Sequence, residues 1–413
     1  MARIVMKFGG TSVATVARIR AAAEKVKAEV DAGNEVGVVV SAMAGVTNEF
    51  EGYVRETARL FDLREYDVVV SAGEQVTCGL MAIALQEMGV SARSWLGWQV
   101  PIRTDDAHGS ARIVDIDGSE IVRRMGEGQV AAFAGFQGVD PNGRVTTLGR
   151  GGSDTSAVAL AAAVGADRCD IYTDVDGVYT TDPRLVAKAH KLDMITYEEM
   201  LELASQGAKV LQTRAVEMAM KHHVRVQVRS SFAETTGAAA PGTLVVDEDE
   251  IVEQQIVSGI AYSRDEAKIT LTRVPDRPGV AAGIFGPLTD EHINVDMIVQ
   301  NVSPAGDATD MTFTVRKADY DRAVKLLQDN QEALGYAELR PDKNVVKISV
   351  IGVGMRSHAG VAQTMFKALS ERGINIQVIS TSEIKISVLV AEEYTELALR
   401  SLHSAYGLDA VEG

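Results

Sequence analysis

Ile4-Val5-Met6-Lys7-Phe8-Gly9-Gly10-Thr11-Ser12 stands near the start of the chain. An apolar run holding one lysine, then two glycines and two hydroxyls, reads as a buried strand turning directly into a helix. Val13–Val30 supplies that helix. The alternation continues outward. Val36–Val40, Val68–Val70, Val130–Phe133, Cys169–Tyr172 and Val224–Val228 read as buried strands, and Gln75–Met88, Thr155–Val164 and Val210–Lys221 as helices. Strands alternating with helices predict an α/β unit with a mostly parallel sheet covered on both faces. The pattern stops near residue 230. Ser230–Thr243 is rich in Ala, Gly, Ser and Thr and contains Pro241, and Asp247–Glu250 is an acidic run, so the boundary falls near residue 245.

Beyond it lies an internal repeat. Gly279-Val280-Ala281 matches Gly360-Val361-Ala362, Phe285 matches Phe366, Leu288 matches Leu369, and Ile293-Asn294 matches Ile374-Asn375, at a constant offset of 81 residues. Two copies of this size are too few and too long for a solenoid. They read as two small α+β modules. Each begins with a strand (Ile269–Val274; Val345–Ile351) and continues through a Gly-initiated helix, a strand starting at the Ile-Asn pair, another strand (Met311–Val315; Lys385–Val390) and a second helix.

The chain has 413 residues, 46% apolar and 24% charged, which is ordinary globular composition and excludes a disordered or collagen-like chain. Its net charge of −16 argues against nucleic-acid and membrane-surface partners, which require clustered Lys and Arg. An anionic ligand would need a few cations placed against that field. Two cysteines, Cys78 and Cys169, are too few for a disulfide framework and point to a reducing compartment. The N-terminus carries no signal-peptide pattern, and the longest weakly polar run, Ala157–Ala166, falls well short of the ~20 residues of a membrane span. The expected location is the cytoplasm, without a membrane or nucleic-acid partner.

Several loops carry candidate chemistry. In Lys7–Ser12 paired glycines allow close backbone approach and positive φ, the helix start offers N–H donors to phosphate, and Lys7 adds a full charge. A plain strand-to-helix turn is the bland alternative. Neither a Walker loop nor Gly-x-Gly-x-x-Gly is present. Ser41-Ala42-Met43-Ala44-Gly45-Val46-Thr47 lies at the carboxyl end of a strand, where open α/β sheets place ligands. Ser71-Ala72-Gly73-Glu74 follows an apolar run read as a strand, with Glu74 as ligand or helix cap. Gly149-Arg150-Gly151-Gly152-Ser153-Asp154-Thr155 holds more glycine and charge than an N-cap needs, which favours anion binding. The loop from Thr173 through Asp174 and Tyr179 to Arg184 has the outline of a calcium loop, but its glycine falls at the fourth position where an EF-hand needs the sixth. Its aromatic, hydroxyls and arginine suit a nucleotide better. Lys209 is a further candidate cation, and His222-His223 read as structural, since helix neighbours do not share a face and no Cys/His cluster accompanies them. No metal site is expected in the protein itself, and no nucleophilic dyad or triad stands out. These residues by themselves point to phosphoryl transfer at one sheet edge, with a small acidic acceptor among the options.

Lys7–Ser12, Val40–Gly45, Ser71–Gln75, Gly149–Thr155 and Thr173–Arg184, in that order, closely resemble aspartokinases of the amino-acid-kinase family. The C-terminal repeat resembles the tandem ACT modules of the monofunctional, lysine-pathway type. The resemblance spans the whole chain. It implies a three-layer αβα kinase domain with a mostly parallel sheet (1–245), a linker plus a strand joining the second module (246–263), and two ferredoxin-like ACT modules (264–340 and 341–413). It implies ATP and L-aspartate as substrates, 4-phospho-L-aspartate as product and Mg2+ as cofactor. By motif position Lys7 would stabilise the transferring phosphoryl group, and Asp154 would orient Lys7 and the phosphate-binding loop. Ser41, Thr47, Glu74, Phe136, Arg150 and Ser153 would hold aspartate. Gly9, Gly10, Thr173, Asp174, Tyr179, Arg184 and Lys209 would join Lys7 around the nucleotide. Effectors, threonine and lysine by the family pattern, would meet Asp276, Gly279, Ala281, Asn294 and Gln300, facing Asn375 and Ile376. A second, unequal effector site would use Met355, His358, Ser380, Thr381 and Ser382. Homo-oligomerisation through the ACT modules is implied, and some relatives add a separate small regulatory subunit. The competing readings are a kinase for another acceptor, N-acetylglutamate or glutamate, and a non-catalytic amino-acid sensor. A free α-ammonium for Glu74 disfavours the N-acetylated acceptor, and intact Lys7, Arg150 and Asp154 disfavour the sensor.

Overall fold

A computed structural model describes residues 1–100, 102–208, 210–233, 241–251, 255–302 and 308–409. The chain divides into two units, residues 1–178, 191–205 and 209–253 against residues 179–190, 206–208 and 254–413.

The first unit is built on an eight-stranded sheet. Its spatial order is Met194–Thr196, Thr243–Val246, Val226–Ser230, Arg168–Thr173, Arg3–Phe8, Glu35–Val40, Val130–Ala134, Ala92–Trp95. Neighbours pair in parallel except Val226–Ser230 with Thr243–Val246. Alternate residues explain the layers. Ile4, Met6, Phe8, Val36, Val38 and Val40 pack against Ala22, Ala23 and Val26 of the helix Val16–Asp31 and against Cys78, Met81 and Leu85 of the helix Ala72–Glu87. The other face lies under the helix Gly152–Val164, where Leu160 comes so near Gly37 that an added Cβ would touch it. A sheet buried on both faces needs near-continuous apolar strands, which is why those strands were legible.

Two expectations require correction. Val68–Val70 is the end of a helix, Leu63–Val70, and not a strand. Asp62 caps that helix by accepting from the Arg64 amide, and Val68 and Val69 face outward while Val70 is buried. One-sided burial at helical spacing had the look of a short apolar strand, so Ser71–Glu74 follows a helix. That helix runs on through Ser71 into Ala72–Glu87, and together Leu63–Glu87 is long and apolar enough to cross a membrane, unlike the shorter run Ala157–Ala166. More than half of its most apolar window is buried in the protein, as in a core helix. A small four-stranded sheet, in the order Ile113–Ile116, Ile102–Thr104, Gln137–Val139, Val145–Thr147, was not foreseen, because its strands are only three or four residues long.

The second unit holds two four-stranded sheets, Val295–Val302, Ala308–Val315, Ala267–Pro275, Glu338–Asp342 and Gly259–Ser263, Val345–Ile351, Lys385–Ala391, Val378–Thr381. Gly259–Ser263 thus precedes the first module in sequence and pairs antiparallel with the second. Gly279 and Gly360 open the matching helices Val280–Asp290 and Val361–Ser370 at φ of +91° and +99°, left-handed values that a Cβ would strain. The copies differ just before that glycine. A 3-10 helix, Val353–Ser357, separates strand from helix in the second module only.

Within this unit the modules meet through Met297, Val345, Val378 and Leu389. Buried Lys347 joins Glu266 at 2.8 Å and Asp296 at 2.6 Å. The Tyr179–His190 segment is also rooted here. Leu185, Val186 and Ala189 pack into the second module's core, and Asp182 accepts a bond from the Tyr262 hydroxyl at 3.1 Å.

Removing one partner of a buried pair strands the other charge. Lys347→Met should therefore destabilise the chain by ~2–4 kcal/mol in denaturant unfolding, and adding Glu266→Gln should recover part of that loss.

Candidate active site

Lys7 sits on the strand Arg3–Phe8, between Val39 and Ile171 of its neighbours, and is only 8% exposed. Its Nζ lies 2.5 Å from Asp154 Oδ1. Asp154 occupies the first turn of the helix Gly152–Val164. The cap of that helix is Gly151, at φ +70° and without a side-chain capping bond, so neither Ser153 nor Asp154 is spent as a cap. Gly151 cannot be another residue, since its Cβ would fall 1.8 Å from Gln212 Cγ.

The Gly-Gly pair works by close approach and not by positive φ. Gly9 has φ −70°, Gly10 is not left-handed either, and a 3-10 helix, Gly10–Val13, intervenes before the helix proper. A Cβ on Gly9 would lie 3.3 Å from Lys7 Nζ, and one on Gly10 would lie 3.1 Å from the Ala42 carbonyl. The Gly9 amide already donates to the Tyr172 carbonyl at 3.3 Å.

Glu74 is 4% exposed and reaches across to the Ser41–Thr47 loop, where its Oε1 accepts from the Ala42 amide at 2.9 Å. Its Oε2 is buried without a hydrogen-bond partner. Burial pushes the carboxyl up to about 7, against the opposing pull of the Ala42 amide. A buried, half-satisfied carboxylate is a strong request for a cationic ligand. Ser41 follows the strand Glu35–Val40 and Thr47 lies in the first turn of Val46–Thr57. Phe136 takes φ +68°, and its amide donates to the Ser156 hydroxyl at 3.1 Å. Its neighbour Gly135 has no room for a Cβ, because Ser153 lies 2.9 Å away. Arg150, between left-handed Gly149 and Gly151, is exposed and forms no ion pair with any described residue.

The structure therefore joins Lys7 to Asp154, Glu74 to the Ser41 loop and Phe136 to the Ser153 helix. Thr173 and Asp174 end the strand Arg168–Thr173 and are linked at 3.2 Å. Tyr179 and Arg184 belong to the second unit, where exposed Arg184 pairs with Asp182 at 2.8 Å. Lys209 lies outside the described residues. Of the effector candidates, Asp276, Asn294, Gln300 and Asn375 are exposed, Ala281 and Ile376 half-buried. His358 Nδ1 lies 2.8 Å from the Gly354 carbonyl, beside Met355, and Ser380 and Thr381 end the edge strand Val378–Thr381. Ser382 follows them, its amide donating to the Lys385 carbonyl. Sequence reasoning missed Gln212, Ser156, Asp67 and Thr147, none of which lies in a Gly-rich motif.

Comparison with known proteins identifies the family. The amino acid kinase family matches residues 2–230, and ACT domains match residues 268–331 and 348–406. An aspartate kinase of Stutzerimonas stutzeri is 57% identical over 414 aligned positions, covering 100% of this chain and 99% of that protein. Aspartokinase III of E. coli, solved with aspartate and ADP in its R-state, superposes with a TM-score of 0.77 at 28% identity over 97% of this chain and 99% of that one. The same enzyme with lysine and aspartate in its T-state gives 0.76 at 29% identity over 97% and 98%. With a parallel-sheet kinase unit, a paired lysine and aspartate at its strand ends and tandem ACT modules, the chain belongs to the aspartokinases, phosphotransferases of the amino acid kinase family.

Proposed function

We propose that the protein transfers the γ-phosphoryl group of ATP to the side-chain carboxylate of L-aspartate, giving 4-phospho-L-aspartate, under feedback control by threonine and lysine. The observation that carries the acceptor reading is buried Glu74, whose Oε2 lacks a partner. An α-ammonium fills that vacancy. Arg150, free of any ion pair among the described residues, offers a two-pronged donor to the α-carboxylate. Ser41, Thr47, Phe136 and Ser153, in the same unit, would complete the acceptor site. An N-acetylated acceptor has no cation to give Glu74.

The acceptor carboxylate has an ordinary pKa of about 3.9 and is ionised at neutral pH, so the reaction needs no general base. The barrier is alignment and crowded negative charge. Lys7 answers the second. An ammonium has three donors, and its ion pair with Asp154 leaves donors for phosphoryl oxygens. Asp154 also fixes where the ammonium points. Gly9 and Gly10 let the nucleotide come close to Lys7, and Thr173 and Asp174 are its further candidates in the same unit, with Tyr179, Arg184 and Lys209 added by the family pattern alone.

Mg2+ fits this donor set as a passenger on the nucleotide. Among the described residues no group of three or more His, Cys, Asp or Glu could cage a metal. Mg2+ typically keeps its waters and binds one or two carboxylates together with substrate phosphates, and Asp174 is the exposed carboxylate at the strand end. Bound there it would neutralise phosphate charge. Both cysteines are free and buried, which supports a cytoplasmic setting, and the ACT modules are the surface through which a second copy would pair.

Hydroxamate trapping of the acyl phosphate tests the reaction. Wild type should form aspartyl hydroxamate with ATP and magnesium, and Lys7→Met should lower kcat by ~10²–10³. Arg150→Lys should raise the KM for aspartate by ~10-fold or more, since a point charge does not replace the fork.

Glu74 gives a pH signature. Its folded pKa of about 7 lies above the 4.5 of an exposed glutamate, so the folded chain keeps a proton that the unfolded chain has lost. Stability from this group is therefore present below 4.5 and lost as pH rises to about 7, a fall of ~3 kcal/mol. Ligand-free wild type should lose stability relative to Glu74→Gln between pH 5 and pH 8 in thermal unfolding, while its KM for aspartate falls over the same interval as the carboxylate forms.

Regulation is read from the same assay. Threonine plus lysine should suppress hydroxamate formation, and Asp276→Ala should relieve the suppression without changing the uninhibited rate. A rate indifferent to both amino acids would remove the feedback reading and leave the kinase.

A further inference from the structure

We infer that Asp67 is a positioning residue that sets the spacing between the two groups recognising the amino-acid end of the acceptor. This inference rests on the acceptor reading of Glu74 and Arg150. Asp67 lies on the helix Leu63–Val70 and is completely buried. Its carboxylate gathers three donors from two other parts of the first unit. The Thr147 hydroxyl donates to Oδ1 at 2.5 Å. The Gly109 amide donates at 3.1 Å, and His108 Nδ1 lies 2.7 Å from Oδ2. No sequence motif singled out these residues.

Their places in the chain give the cluster its meaning. The helix carrying Asp67 continues through Ser71, whose amide bonds back to the Asp67 carbonyl, into Ala72–Glu87. Glu74 is seven residues on, two helical turns away on the same face. Thr147 ends the strand Val145–Thr147, and three residues later comes Arg150. One carboxylate thus ties the backbone that leads to the ammonium site to the backbone that leads to the carboxylate site.

The loop carrying His108 and Gly109 is the third side of the clamp. The Ala111 amide donates to the Thr147 carbonyl at 2.9 Å. Arg214 donates to the Leu148 carbonyl at 2.6 Å and to the Ala111 carbonyl at 2.9 Å. The Gly109 carbonyl stands 3.3 Å from where a Cβ on Gly149 would be, so left-handed Gly149 rests on this loop. Arg150 itself is exposed, and its aim depends on the backbone beneath it. An α-amino acid presents its ammonium and carboxylate at one fixed separation, and misplacement of a recognition group by a fraction of an ångström weakens both contacts together. Thr147 and Asp67 are both completely buried, so their effect on the reaction runs through Glu74 and Arg150.

Thr147→Val tests the inference, because it keeps the shape and removes the hydroxyl donor, with Thr147→Ser as the conservative partner. Full-chain kinetics should show the KM for aspartate raised about five-fold or more in Thr147→Val, with the KM for ATP changed less than about two-fold. Thr147→Ser should recover at least half of that loss. A lower Tm with both KM values unchanged, or both KM values raised equally, would mean a merely structural role and overturn the inference. Should Thr147→Val fail to fold, His108→Leu, which removes the ring donor from the loop side, carries the same expectation and the same refutation. A wild type inert toward aspartate would sink the acceptor reading and this inference with it. An active wild type whose aspartate KM is unmoved in these variants sinks the inference alone.

Discussion

A lysine ammonium held inside the protein is the constraint around which the first unit is arranged. Lys7 stands on a strand with neighbours on both sides and a helix layer on each face, where an unpaired charge would cost several kcal/mol. Asp154 is its counter-ion, and Asp154 can be there only because the helix Gly152–Val164 begins directly above the strand end. That start in turn requires a left-handed glycine at 151 and clearance at Gly135 and Gly152. The Gly-rich loop that looks like an anion-binding motif is thus also the device that brings the counter-ion to the lysine.

Glu74 shows the opposite economy. Lys7 is paired and Glu74 is left half-satisfied, its carboxyl raised by burial. Preorganised charge pairs suit a group that must be charged throughout phosphoryl transfer. A buried, half-satisfied group suits a ligand site, because the ligand's charge supplies the missing partner on arrival. The two residues lie on elements packed into one core.

The second unit uses repetition differently. The two modules share a left-handed glycine at the helix start and a common strand–helix order, yet only the second has a 3-10 turn before that glycine and a strand contributed from upstream of the first. Sequence identity between the copies falls on packing positions such as Leu288 and Leu369, and also on the exposed pair Asn294 and Asn375. The Tyr179–His190 segment, which leaves the strand Arg168–Thr173 and carries two candidate nucleotide residues, is anchored in the second module's core.

The sequence alone determined the fold class, the candidate loops and the repeat. Apolar runs such as Val36–Val40 and helix patterns such as Thr155–Val164 are local signals, written at 2.0 or 3.6 residue spacing, and they hold wherever burial is two-sided or one-sided in the expected way. Val68–Val70 misled for the same reason, since three valines carry no information about which neighbours bury them. Lys7, Glu74, Arg150 and Asp154 were legible because each sits in a Gly-rich or hydroxyl-rich motif. Only the tertiary structure decided their chemical states: how deeply Lys7 is buried with its acid, which oxygen of Glu74 is left over, and why Gly9 and Gly10 are glycines through close approach and not through φ. Asp67, Thr147 and His108 were invisible in sequence, because a clamp between residues 41 and 80 positions apart leaves no local pattern. Packing and desolvation act between neighbours in space, and the chain order does not record which neighbours those are.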